Sequence, residues 1–177
     1  MGQLTLALAC EATDATDANP HLIELAAVVV RDGLITGEQF HALIKPPLPI
    51  ARSGTLVHGH SAQSLAHRPD WSALAPHWLR WAQGAHVVVW NRRFHLACLD
   101  RALLRAGQRN MDTVAAGITD LKTLSGKARR VDLMAQYGLG QPTDVLTPLP
   151  EALQLARLWL ALGQAASSAE GCRLNTQ

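Results

Sequence analysis

Between Leu4 and Ile44 three apolar stretches follow one another with little but a loop and a tight turn between them, and that order decides most of what the chain can fold into. Leu4–Cys10 is a short apolar run that reads as a buried strand and ends against a lone carboxylate at Glu11. Leu22–Val30 is richer in β-branched residues, and Arg31-Asp32-Gly33 supplies the turn after it. Ile35–Ile44 alternates well enough for a third strand and is stopped by Pro46-Pro47. Strands this close in sequence form an antiparallel meander.

Helical periodicity then takes over. Asp70 stands where an N-cap belongs, and Leu74, Trp78, Leu79 and Trp81 follow at near-helical spacing. "HVVVWN" (86–91) reads as a fully buried strand. From Phe94 to Ala106, Leu96, Leu99, Leu103 and Leu104 share a side, and Gly107 closes the helix as its C-cap. Further helices are expected over Val131–Tyr137 and from Glu151 to Leu162. Strands first, then strands alternating with helices, predict an α/β domain with a mixed sheet and helices packed on it. The expected organisation is one domain over residues 1–163 and a mobile tail over 164–177, where periodicity is lost.

With 48% apolar and 17% charged residues among 177, the composition suits a globular core and argues against disorder. A formal charge of +2 does not announce a nucleic-acid partner, so basic residues matter here by local placement. Cys10, Cys98 and Cys172 are odd in number, far apart and form no CxxC pair, which predicts buried or inert thiols rather than a disulfide framework or zinc site. No stretch approaches the ~20 apolar residues of a membrane span. No opening segment has the pattern of a secretory leader, and a soluble cytoplasmic protein is the expectation.

Six stretches, in order, carry a resemblance: "LALACEATD", "LIELAAVVVRDGLITGEQFHALIKPPLPI", "VHGHSAQSLAHRPDW", "GAHVVVWNRRFHLACLDRALLRAG", "GKARRVDLMAQYGL" and "EALQLARLWLAL". Over roughly residues 3–163 the chain resembles the DnaQ-like 3′–5′ exonucleases, the family of the bacterial proofreading (epsilon) subunit. The resemblance implies a ribonuclease H-like fold with a five-stranded mixed sheet, a three-strand antiparallel meander plus parallel strands. It also implies phosphodiester hydrolysis by two Mg²⁺ or Mn²⁺ ions, about 4 Å apart, held by four carboxylates, with a histidine as general base.

Position by position, the chain departs from that pattern. The first-strand aspartate falls on Ala9, and its partner glutamate is Glu11. The second motif keeps Asn91 and Phe94, but its aspartate position is His95. In the last motif the aspartate position is Glu151 and the general-base position is Leu146, whose side chain cannot accept a proton. Pro148 and Pro150 replace a flexible lead-in. Glu11 and Glu151 are the acids left to hold metal.

Several residues carry two readings. Asp14 and Asp17 are substitute ligands or polar loop residues; His95 is a ligand for a softer ion, or a solvated or hydrogen-bonded histidine at the start of a helix. His58 and His60 in "HGH" suggest a metal pair, but the resemblance gives His58 a structural or substrate-contacting role. It makes Glu24 a fold or ligand-edge residue. Trp71, Trp78, Trp81 and Trp159 are core residues, or a tryptophan edge docks a partner.

Losing acids at positions 9 and 95 leaves the cleft about two charges less acidic than the family pattern. Arg92 and Arg93 follow Asn91, and Lys127, Arg129 and Arg130 form a second basic cluster. The expectation is a non-catalytic module that binds a single-stranded nucleic-acid end through Asn91, Arg92, Arg93 and His58, a polymerase or other protein partner, or both. It needs no cofactor. The alternative is a working metal-dependent 3′–5′ exonuclease with atypical ligands.

Overall fold

The computed structural model describes residues 3–13, 20–48, 50, 55, 58–126, 128–140 and 147–174, with side chains through 165. Strands β1 (Leu4–Ala12), β2 (Leu22–Arg31) and β3 (Leu34–Leu43) form the meander. Helices α1 (Ala62–Leu65) and α2 (Trp71–Ala82), strand β4 (His86–Val89) and helix α3 (Arg92–Arg105) follow. Then come α4 (Met111–Val114), β5 (Gly117–Asp120), α5 (Leu121–Leu124), α6 (Arg130–Gln136) and α7 (Pro148–Leu174). The five-stranded sheet has the order β3-β2-β1-β4-β5. β1 lies at its centre, antiparallel to β2 and parallel to β4.

Local chemistry accounts for these elements. Asp32 and Gly33 both have positive φ, 51° and 76°, the primed-turn geometry that matches the twist of a two-residue hairpin. The Asp70 carboxylate accepts from the Ala73 amide at 3.0 Å, capping α2. Gly107, at φ 68°, ends α3. Pro148 and Pro150 lie in the first turn of α7, where a missing amide hydrogen costs no intrahelical bond.

Because side chains alternate across β1, its two faces join different clusters. Leu6, Leu8 and Cys10 pack with Trp71, Trp78, Leu96, Leu99 and Leu103 from α2 and α3. Trp78 is fully buried, and Phe40 meets its ring edge-on at 5.2 Å. Trp71 is also buried, so these tryptophans are core residues. Ala7 and Ala9 face the other way with Ala26, Val88, Ala152, Leu155 and Ala156. Alanines on both sides let α7 lie close to the centre of the sheet, and Ala9 is fully buried there.

The last helix differs from the expectation. It begins at Pro148 and continues to Leu174, beyond the residues where periodicity fails. An alanine-rich segment such as "QAASSAEG" keeps helix propensity where the apolar period that marks a helix in sequence is lost. No helix among the described residues is long and apolar enough to cross a membrane.

Candidate active-site cleft

The carboxyl end of β1, the start of α3 and the first turns of α6 and α7 meet around a cleft of about 490 Å³. Cys10, Glu11, Trp90, Asn91, Phe94, His95, Arg129, Arg130, Val131 and Glu151 line it. Positions 11, 95 and 151, scattered through the sequence, therefore share one site, with Ala9 buried beneath α7 beside it. Leu146, Asp14, Asp17 and Lys127 lie outside the described residues.

His95 is 5% exposed. β1 pairs with β4 through Ala7, so the Cys10 amide lies past the end of that ladder. It donates instead to His95 Nδ1 at 3.2 Å, which leaves the ring proton on Nε2. That nitrogen stands 3.9 Å from Glu151 Oε1. Burial holds the imidazole below its ordinary pKa; the Glu151 carboxylate pulls the other way, and the Arg130 guanidinium adds to the lowering. The ring is neutral at physiological pH.

Glu151 is spoken for. Nη1 of Arg130, the first residue of α6, donates to the same Oε1, and both side chains are largely buried. Glu11 lacks such a partner among the described hydrogen bonds and ion pairs. Burial pushes its carboxyl up, the Ala12 amide opposes this, the Glu151 and Glu24 carboxylates raise it further, and His60 lowers it. Cys10 and Cys98 are free and buried, and the hydrogen bond between them together with burial raises the Cys10 thiol. The Cys172 side chain is outside the described set.

The other basic residues are deployed differently. Asn91 has a left-handed backbone, φ 67°, at the head of α3. Its amide and that of Arg92 donate to the two Asp120 oxygens at 3.0 and 3.1 Å, so a carboxylate of the fold already occupies that helix terminus. Burial acts to raise Asp120, but amides from Arg92, Asn91 and Lys122 and the Thr123 hydroxyl outweigh it and hold the carboxyl below the usual range. Arg92 pairs with Asp112, away from the cleft lining. Arg93 is exposed on α3. Arg129 makes two 2.8 Å bonds to Asp132.

His58 is not in the cleft lining; it stacks on His60 at 5.7 Å and accepts from the His60 amide. Next to Glu11, the cross-strand partner Glu24 is 3% exposed. His41 Nε2 meets one of its oxygens at 2.8 Å and His60 Nε2 meets the other at 2.7 Å. His41 was not singled out by the sequence, though its register opposite Ala26 puts it diagonal to Glu24.

The cleft does not fit a two-ion centre. Of four acidic ligand positions it offers Glu11 and Glu151, one half-buried and the other bonded to a guanidinium. Among the described residues no group of three or more His, Cys, Asp and Glu side chains is placed to hold a metal ion.

A family model described as "Exonuclease" matches residues 6–143. The DNA polymerase III subunit epsilon of Escherichia coli (strain K12) is 28% identical over 149 residues, which are 80% of this chain and 61% of that protein. The chain spans less than two thirds of the length of the epsilon subunits it matches. Among solved structures, E. coli Exonuclease I in complex with a dA16 oligonucleotide superposes with a TM-score of 0.77 at 13% identity, covering 92% of this chain and 41% of that one. Exonuclease X in complex with 5′ overhanging duplex DNA gives 0.64 at 16% identity and 93% of both chains.

Sheet order, helix placement and these superpositions define an α/β exonuclease fold of the ribonuclease H-like type. The chain belongs to the DnaQ-like 3′–5′ exonuclease family.

Proposed function

We propose that this chain is a non-hydrolytic member of its family, and that its cleft binds the end of a single-stranded nucleic acid without divalent metal. One observation carries the reading: the Glu151 carboxylate, at a family metal-ligand position, is held by Arg130 and abutted by His95 where the family has an aspartate. Two-ion catalysis clamps the attacking and leaving oxygens of a phosphodiester between cations. Glu11 and a committed Glu151 supply too little charge for two such ions, and Leu146 supplies no base.

Binding survives the loss of chemistry. Trp90 and Phe94 give the cleft aromatic surface on which bases of any sequence stack, and Arg130 gives it a guanidinium. Solved structures that share this fold were captured with DNA, which supports a nucleic-acid end as the ligand class. A protein-docking role through Trp71 or Trp78 is disfavoured, since both are buried.

The test is a 3′-labelled single-stranded oligonucleotide incubated with excess protein and Mg²⁺ or Mn²⁺. The label stays on full-length product, while gel retardation persists in EDTA and weakens steeply with added salt. Metal-dependent shortening that Glu11→Gln abolishes would establish the competing reading, a working exonuclease with atypical ligands.

A further inference from the structure

A cleft lined by two acids, Glu11 and Glu151, calls for a cation, and in this fold the cation is built into the chain. Arg130 opens α6, and its neighbour Arg129 is engaged by a two-bond pairing with Asp132. The Arg130 side chain reaches across 21 positions of sequence to Glu151 at the start of α7. The carboxylate oxygen it meets is the one that His95 Nε2 approaches at 3.9 Å. Both side chains of the pair lie mostly out of solvent, 21% and 14% exposed, so the contact is screened far less than a surface ion pair. The carboxylate's oxygen is thereby committed to a monovalent, permanently charged group that chelators cannot remove.

We propose that Arg130 is a resident cation that takes the divalent ion's place against Glu151, excluding metal from the cleft and supplying the guanidinium that anchors a phosphate. A guanidinium has five N–H donors in a fixed fork, and the bond at Nη1 leaves others for a phosphate oxygen. Glu151 then acts as a positioning residue that fixes the fork. The anchoring half rests on the nucleic-acid reading above, whereas the exclusion half stands on the Arg130–Glu151 contact alone.

Two measurements on the whole chain separate these halves. In the first, Mn²⁺ alone is titrated and free ion is followed by electron paramagnetic resonance. Wild type shows no saturable site; Arg130→Gln gains one Mn²⁺ per chain, at least about tenfold tighter than any wild-type binding. Arg130→Gln/Glu151→Gln loses it again. Arg130→Lys, which keeps a cation, still excludes Mn²⁺. Wild type that binds Mn²⁺ as tightly as Arg130→Gln overturns the proposal, as does an Arg130→Gln variant, shown folded by near-ultraviolet circular dichroism, that gains no site.

In the second, fluorescein-labelled oligothymidylate is titrated in EDTA and followed by anisotropy. Arg130→Gln weakens binding at least about tenfold, and Arg130→Lys by less. Equal affinity in wild type and Arg130→Gln overturns the anchoring role. If wild type binds no oligothymidylate at low salt, the nucleic-acid reading fails, and the Mn²⁺ titration still decides the exclusion.

Discussion

Replacing His95 by alanine isolates what the buried imidazole contributes to the fold. The ring is buried and its Nδ1 is the acceptor for the Cys10 amide, which has no strand partner on that side. Stranding a buried N–H costs about 1–3 kcal/mol. Removing a buried ring of this size adds about 1–2 kcal/mol in transfer and cavity terms. The sum, about 2–5 kcal/mol, lowers the melting temperature of a domain this long by roughly 5–15 °C. Urea unfolding followed by tryptophan fluorescence measures it, since Trp78 reports from the core. His95→Asn separates the two contributions: its carbonyl oxygen falls near the position of Nδ1 and restores the acceptor, recovering about 1–2 kcal/mol. The pH dependence has a definite sign. Because burial lowers the folded pKa, the stability that the neutral ring provides is full above the ordinary imidazole value of about 6.5 and is lost as pH falls through the folded value. The gap between wild type and His95→Ala therefore narrows in acid. An alanine variant within about 0.5 kcal/mol of wild type at pH 7, or an asparagine variant no better than alanine, refutes the hydrogen-bond argument.

Three further outcomes follow from the same geometry. Glu11→Gln stabilises the protein at pH 7 by on the order of 0.5–1 kcal/mol after solvent screening. The raised carboxyl's contribution is full below its ordinary value and is lost as pH rises through the folded one, so in urea melts the advantage of glutamine vanishes near pH 4. Glu24→Ala costs about 1–3 kcal/mol, chiefly by stranding the less exposed His60 imidazole, and Glu24→Gln costs less because it keeps an acceptor, again read by urea melts. His95→Asp alone gains no thermal stability from Mn²⁺, because Arg130 still holds Glu151. His95→Asp/Arg130→Gln gains about 1.4 kcal/mol at ten times the dissociation constant, roughly 3–6 °C in a thermal scan.

The fold was legible where a pattern repeats and illegible where an element is one turn long. Alternation, the Asp32-Gly33 turn and the Asp70 cap place β1, β2, β3, α2, β4 and α3 to within a few residues of where they lie. α1, α4 and α5 are four residues each, too short for a 3.6-residue period to show. β5 is "GITD", which has no apolar run of its own; it is a strand because β4 offers it a parallel edge from His86 to Val89. The resemblance implied a fifth strand, but no local signal marked these residues. His41 was missed for a related reason: alternation assigns a face, while the diagonal neighbour across the sheet depends on register.

At the cleft, the resemblance implied which positions differ from the family pattern but not how the residues there fit together. Arg130 read as one member of a basic cluster, equivalent to Arg92, Arg93 and Arg129. In the fold each of those three is spent elsewhere or exposed, and Arg130 alone reaches Glu151. His95 read as a helix-start histidine, yet its main partner is a strand amide 85 residues away in the chain. The substitutions are therefore not separate losses. A neutral imidazole adds no negative charge beside Glu151, and one guanidinium there balances that carboxylate. Putting aspartates back at positions 9 and 95 restores ligands but leaves the competing cation in place, and Ala9 must also accept a charge where α7 presses on the sheet. On the proposal above, metal binding in this cleft requires the Arg130–Glu151 pair to open first.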